Sequence, residues 1–483
     1  MQKIISITSL FLVFLASCSP QNPADIPEST LALEDCYLTS PAGDQVDAHC
    51  GTLTVPEDRA NPTGRQIGLH VAVIPAIRRD PEPDPLFLLA GGPGQSAIET
   101  FPVMISMLYY IHEDRDIVLV DQRGTGESNP LRCLDSEDET LTGEQTLAIL
   151  KTCPQKLDAD VRFYTTGIAM TDLDEVRAVL GYETINLYGA SYGTRAALTY
   201  LRMFPQHVRT LTLDAVVDPG FVMFMDAAVD GQAALDDFFA RCESDKACKT
   251  TFPNLRSEFK GLISRLEEAP AEITIPHPLT NKPLNLTVTR QLIASMVFNT
   301  LYVPDLVATL PLSIHAAFSD ENYVPLISQA FLVNAGIYDG MFYAVTCTED
   351  APLINAPEAA EQGKQSVFGD RTVDFAAVCR EWPKGEVSQK FREPIQSDIP
   401  VLILSGEADP ITPPWHADIV AANLTNELQV IFSGMGHGNL STRCSTNLLK
   451  AFITSASISG LDLTCVDGIH PPPFFVDFSG PQP

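Results

Sequence analysis

Gly189-Ala190-Ser191-Tyr192-Gly193 constrains the fold of this chain more than any other stretch, because of what surrounds it. The apolar run Ile185-Asn186-Leu187-Tyr188 before it suits a buried strand, and residues 191–203 after it carry a helical pattern. A serine between small residues at a strand-to-helix turn marks a tight, strained bend. A Cβ on either glycine would collide with the neighbouring strand or helix. The string occurs once in the 483 residues. Such a bend presents its serine at the end of a mostly parallel sheet, so the rest of the chain should supply strands and helices in alternation.

It does so over much of its length. Residues 66–75 and 85–89 predict strands, and residues 116–120 predict a buried one. Residues 171–180 predict a helix, with Asp172 and Asp174 in its first turn, Leu173, Val176 and Leu180 on one face, and Gly181 as its stop. Residues 208–213 predict the strand after the serine helix. From residue 219 to residue 393 the alternation fails and gives way to amphipathic helical stretches, a hairpin around residues 279–283 and four cysteines. It resumes with a strand at 399–404, a helix at 413–422 and a strand at 428–432. The expected architecture is an α/β fold, a mostly parallel sheet with flanking helices. Residues 36–218 and 394–483 form its core, interrupted by a mostly helical cap at 219–393.

A hydrophobic content of 45% against 19% charged residues supports a large buried core and excludes intrinsic disorder. The net charge of −30, with no Lys/Arg block, excludes nucleic-acid binding. At the N-terminus Lys3 precedes an apolar run over residues 4–16, too short to span a bilayer but fitting a secretory signal. The run ends in Leu15-Ala16-Ser17-Cys18, which resembles the lipobox of bacterial lipoproteins. Residues 1–17 are therefore expected to be removed, Cys18 to be lipidated, and residues 18–35 to act as a tether. The chain would then be exported and held at a bacterial membrane, facing the periplasm or the cell exterior. Of the 11 cysteines, those after Cys18 are expected to close disulfides in sequence order. The pairs are Cys36–Cys50, Cys133–Cys153, Cys242–Cys248, Cys347–Cys379 and Cys444–Cys465. No Cys-x-x-Cys occurs, and no metal or other cofactor is expected.

A reactive serine needs a base, and the base needs an orienting acid. Asp409 follows the strand Val401-Leu402-Ile403-Leu404, and His437 lies among glycines after Val430-Ile431-Phe432. The order Ser, Asp, His, each after its own strand, matches the α/β-hydrolase arrangement. Glu407 is the rival acid. The other histidines, His416 among them, are expected to be surface or packing residues. The glycine-rich stretch Gly91-Gly92-Pro93-Gly94 follows a core strand, where the backbone N–H of Gly92 can join that of Tyr192 in an oxyanion hole. A phosphate cradle is the competing reading, and the absence of a following Lys or Arg argues against it.

Four stretches together resemble the secreted tripeptidyl aminopeptidases, relatives of prolyl iminopeptidase among the S33 serine peptidases of the α/β-hydrolase fold. They are Gly91-Gly92-Pro93-Gly94-Gln95-Ser96, Asp121-Gln122-Arg123-Gly124-Thr125-Gly126, Tyr188-Gly189-Ala190-Ser191-Tyr192-Gly193-Thr194-Arg195 and Asp214-Ala215-Val216-Val217-Asp218-Pro219. The resemblance runs over roughly residues 36–470 and is weakest in the cap. Prolyl iminopeptidases usually place His before Gly-Gly-Pro-Gly; this chain has Ala90, which moves it toward the tripeptidyl branch. The resemblance implies that Ser191 attacks, His437 carries the proton and Asp409 orients it, with peptides bearing a free N-terminus as substrates. It also implies an acidic cap site for the α-ammonium, for which Glu349 and Asp350 are the candidates. Asp121 and Arg123 are expected to shape their loop. A carboxylesterase is the alternative on the same scaffold, and a catalytically dead interaction module the more distant one.

Overall fold

Successive residues of a strand point to opposite faces of its sheet, and in this chain both faces are apolar. The computed structural model shows where they go; it describes residues 31–40, 43, 45–134, 143–277, 281–330 and 336–481. Cys18, the signal segment and most of the expected tether lie outside the described residues. Strand β4 (Leu86–Leu89) illustrates the pattern. Phe87 and Leu89 join one hydrophobic cluster with Leu187 and Leu211, whereas Leu86 and Leu88 join another with Leu402 and Val430. A sheet buried on both faces follows.

That sheet has nine strands: β1 (Glu34–Thr39), β2 (Gln45–Pro56), β3 (Gln66–Ile74), β4, β5 (Ile117–Val120), β6 (Ile185–Ala190), β7 (Val208–Asp214), β10 (Val401–Gly406) and β11 (Glu427–Phe432). Its order is β1-β2-β3-β5-β4-β6-β7-β10-β11. The first three strands pair antiparallel, as do β3 and β5; the rest of the sheet is parallel. From β4 the chain steps one way to β5 and then back past β4 to β6. The order therefore reverses between β4 and β6, and a crevice opens at their carboxyl ends, where open α/β sheets bind ligands.

Helix α1 (Thr166–Val179) starts five residues before its predicted position, with Thr165 at its N-cap. Asp172 does not serve a helix N-terminus. It is buried and accepts two hydrogen bonds from Arg123, at 2.6 and 2.8 Å, so a tertiary ion pair explains the acid that the sequence suggested was a start signal. Helix α2 (Tyr192–Met203) leaves the serine bend with ten of its residues buried.

The helices between β7 and β10 fall mainly into two hydrophobic clusters. Helices α3 (Asp226–Ser244), α4 (Leu255–Glu268), α5 (Arg290–Leu301) and α6 (Leu310–Ser319) pack around Leu262, Ile293, Val297 and Ile314, joined by the antiparallel pair β8 (Ala271–Pro276) and β9 (Pro283–Val288). Helix α7 (Asp339–Glu349) instead puts Met341, Val345 and Cys347 against Met170, Leu173 and Tyr200 beside the sheet. Beyond it, α8 (Pro414–Ala421) and α9 (Arg443–Ser455) complete the core.

Disulfides join Cys36 to Cys50, Cys133 to Cys153, Cys242 to Cys248, Cys347 to Cys379 and Cys444 to Cys465. Such bridges suit the oxidising space that an exported protein enters. Among the described residues, no helix is long and apolar enough to cross a membrane.

Candidate active site

Ser191 sits at φ 55°, ψ −125°, left-handed backbone that a non-glycine residue occupies only under constraint, at a cost of about 1–3 kcal/mol. The constraint is local. A Cβ on Gly189 would lie 2.3 Å from the Gly193 carbonyl oxygen, and one on Gly193 would lie 2.2 Å from that of Leu89. The Ser191 N–H donates to the Asp214 carbonyl at 2.9 Å, and its own carbonyl accepts from Thr194 N–H at 2.8 Å. The serine is thereby held between β6 and α2 at the carboxyl end of the sheet.

The loop after β10 carries Asp409, and the loop after β11 carries His437. They meet at 2.8 Å between Asp409 Oδ2 and His437 Nδ1. Asp409 is 1% exposed, and its carboxylate also accepts from Ile411 N–H, Thr412 N–H and the Thr412 hydroxyl, each at 2.9 Å. Burial pushes this carboxyl up, but the His437 charge and these hydrogen bonds outweigh it and hold the group below the usual range. Burial pushes the His437 imidazole down; Asp409 outweighs this, Asp214 adds to the effect, and the proton is held more tightly than usual. The ring has two further supports. Its backbone N–H donates to the Tyr302 carbonyl at 3.0 Å, and the Tyr302 ring packs on it with centroids 5.0 Å apart. Two residues on, Asn439 donates its N–H and its amide to the buried Asp214 carboxylate, at 2.8–3.0 Å.

A cavity of about 250 Å³ brings Ser191 together with Gly92, Pro93, Tyr192, Thr412 and Tyr302. Its other walls are mostly apolar: Val217, Phe221, Met223, Phe224, Ile337, Phe342 and Ile411, with Arg195 as the one charged member. Tyr192 opens α2, so its N–H has no intrahelical acceptor.

Glu407 is not gathered into this group. Its carboxylate accepts from the Ser433 hydroxyl at 2.8 Å and Gly434 N–H at 2.9 Å. Glu349 and Asp350 also stand apart from the cavity wall, 4% and 0% exposed. Glu349 accepts from the N–H and hydroxyl of Thr166, both at 2.8 Å, and Asp350 takes Arg195 at 2.9 Å and Arg392 at 2.5 Å. Asp121 binds the Ser96 hydroxyl at 2.5 Å and Ile98 N–H at 3.1 Å, which fixes the glycine-rich loop. The sequence reading did not reach Thr412 or Tyr302. The first had a usable signal, since an Asp with Thr three residues on is a common local turn pattern. The second is a backbone contact from the cap and had none.

A strained serine after one parallel strand, an aspartate–histidine pair after two others and a crevice at the reversal of strand order together define the α/β-hydrolase fold. In agreement, a family model for the alpha/beta hydrolase fold matches residues 84–259, and one described as TAP-like protein matches residues 365–465. The chain has the α/β-hydrolase fold, and its C-terminal region is similar to the TAP-like model. It is 25% identical over 431 residues to serine protease Hip1 of Mycobacterium tuberculosis, covering 81% of each chain. It is 31% identical over 191 residues to the tripeptidyl aminopeptidase of Streptomyces coelicolor, 35% of each chain. It is 26% identical over 467 residues to carboxylesterase B of Mycobacterium tuberculosis, 86% of each.

Proposed function

We propose that this chain is a serine peptidase that releases short N-terminal units, tripeptides or single residues such as proline, from peptides. The observation that carries the reading is the buried Asp409–His437 pair beside the cavity that holds Ser191. Ser191 Oγ attacks the scissile carbonyl while His437 takes its proton and later hands it to the departing amine. Asp409, kept ionised by its N–H and hydroxyl donors, holds the imidazole in one tautomer and stabilises its charged form. The N–H groups of Gly92 and Tyr192 receive the oxyanion; one such donor is worth about 3–4 kcal/mol in the transition state. Water then cleaves the acyl-enzyme by the same steps in reverse. Glu349 and Asp350 stay the candidates for the α-ammonium: Thr166 holds Glu349, Arg195 and Arg392 hold Asp350 through Oδ1, and the buried Oδ2 of Asp350 has no hydrogen-bond partner among the described residues.

The likeness to carboxylesterase B over most of its length favours a second reading, ester hydrolysis by the same residues. A panel of aminoacyl, dipeptidyl and tripeptidyl anilides, their N-blocked versions and short acyl esters separates the two. Cleavage of free-amine anilides but not blocked ones is expected; ester turnover without anilide cleavage would reverse the order. The chain works outside the cytosol, tethered by acyl chains on Cys18, each buried CH₂ of which contributes about 0.8 kcal/mol to membrane binding. Mass spectrometry of the mature N-terminus should find an acylated residue 18; an unmodified N-terminus elsewhere would remove the anchor.

A further inference from the structure

His416 takes no part in the steps above, yet it is 0% exposed and both its ring nitrogens face carboxylates. Nδ1 lies 2.5 Å from Asp218 Oδ2, and Nε2 lies 3.1 Å from Asp230 Oδ2. A neutral imidazole has one N–H, so one of these contacts would set a lone pair against a carboxylate. Both are satisfied only in the imidazolium. Three elements meet at the ring. Asp218 stands on the loop after β7, Asp230 on the cap helix α3, and His416 on α8, just past the Asp409–Thr412 loop. The Trp415 indole stacks on the imidazole and donates to Asp230 Oδ1 at 3.1 Å. Phe221, a wall of the Ser191 cavity, meets the ring edge-on at 5.4 Å. Met223 and Phe224 of the same wall lie on the short stretch between Asp218 and α3. A buried ion cluster is a poor device for stability alone, because desolvation consumes most of the attraction. What this one provides is register: none of the three elements can shift without separating a buried charge from its partner.

We propose that His416 is a positioning residue for the reaction: clamped between Asp218 and Asp230, it ties the cap and the aromatic wall of the cavity to the helix behind the Asp409 loop, and the cavity takes the acyl part of the substrate only while the clamp is closed. This rests on the serine-hydrolase reading above. The charged groups facing the ring are Asp218 on its loop and Asp226 and Asp230 on α3. Burial alone would push the imidazole down, but the hydrogen bonds and charges of Asp218 and Asp230 outweigh it and hold the proton to about 9. The two histidines then bound the activity: kcat/KM rises as His437 loses its proton and falls as His416 loses its own.

The test is the pH profile of kcat/KM, from about pH 5 to about pH 10, on a tripeptidyl anilide and on a short acyl ester, for the wild type, Asp230→Asn and Asp230→Glu. Asp230→Asn should move the alkaline limb down by about one pH unit or more, leave the acid limb in place, and raise KM several-fold with kcat within about threefold. Asp230→Glu should restore much of the limb. Asp218→Asn removes the other carboxylate and should lower the alkaline limb in the same sense; it also covers the case in which Asp230→Asn does not fold. Where neither substrate turns over, the rate of Ser191 labelling by a fluorophosphonate supplies the same profile. Labelling with an unmoved alkaline limb overturns the clamp alone. No labelling at Ser191 overturns the hydrolase reading and the clamp with it.

Discussion

His437 and His416 each bind a buried aspartate through Nδ1, and they are built for opposite ends. His437 gives Nδ1 to Asp409, and among the described residues no second carboxylate takes its other nitrogen. His416 gives Nδ1 to Asp218 and Nε2 to Asp230. The first ring has one carboxylate to hold its proton, whereas the second holds its proton between two charges. A histidine's partner on one nitrogen says little about its role; the partner on the other nitrogen decides it.

The largest expected effect is on the reactive side. Ser191→Ala should lower kcat/KM on the order of 10⁴-fold or more, because nucleophile and base act as a unit. Asp409→Asn should cost on the order of 10³–10⁴-fold, since an amide on Nδ1 favours the wrong tautomer. It should also move the acid limb to lower pH: Asp409 is the group that raises the His437 pKa, and burial alone depresses it. Glu407→Gln should change kcat/KM by less than about threefold, because Glu407 caps the Ser433–Gly434 turn and does not touch the imidazole. Equal losses for Glu407→Gln and Asp409→Asn would break the contrast at its root.

The clamp should show itself in stability as well. A histidine whose folded pKa is raised contributes stability that is fully present below its unfolded value and is lost as pH rises through the folded one. For His416 the window runs from about 6.5 to about 9. The wild-type melting temperature should therefore decline across that window by the equivalent of about 2–3 kcal/mol, and His416→Gln should flatten the slope. An undiminished slope in His416→Gln would assign it to other groups.

What could be seen in the sequence follows the range of the physics involved. The bend at Ser191 was legible because its signs are local, two glycines flanking the serine with a strand before and a helix after, although the Leu89 carbonyl that excludes a Cβ at Gly193 belongs to β4. Asp409 and His437 were legible because each follows a strand of the sheet. His416 was not legible: its two carboxylates lie 198 and 186 residues away in sequence, one brought near by the pairing of β7 with β10 and the other by the cap helix α3. The start of α1 was misplaced for the same reason, since Asp172 answers to Arg123 across the fold and not to its own helix. The insertion predicted as one cap is divided in the structure, because the Met341–Val345 face of α7 matches the core beside the sheet better than the cluster around Leu262.

The smallest effect tests the site that the family resemblance suggested and the structure leaves unexposed. Burial pushes the Glu349 carboxyl up to about 7 against the pull of Arg195, so the folded chain holds that proton more tightly than the unfolded one does. Stability from this group is present below about 4.5 and is lost as pH rises through about 7. Glu349→Gln cannot ionise, so it should be nearly neutral at low pH and more stable than wild type at pH values above the window. If the carboxyl only braces Thr166 behind the oxyanion donor Tyr192, the variant should alter KM equally for free-amine and N-blocked anilides. A KM that rises for free-amine substrates alone would mean that Glu349 reaches the α-ammonium after all. The buried charges beneath the cavity would then belong to substrate recognition, and the contrast between reactive and clamped groups would need a third kind.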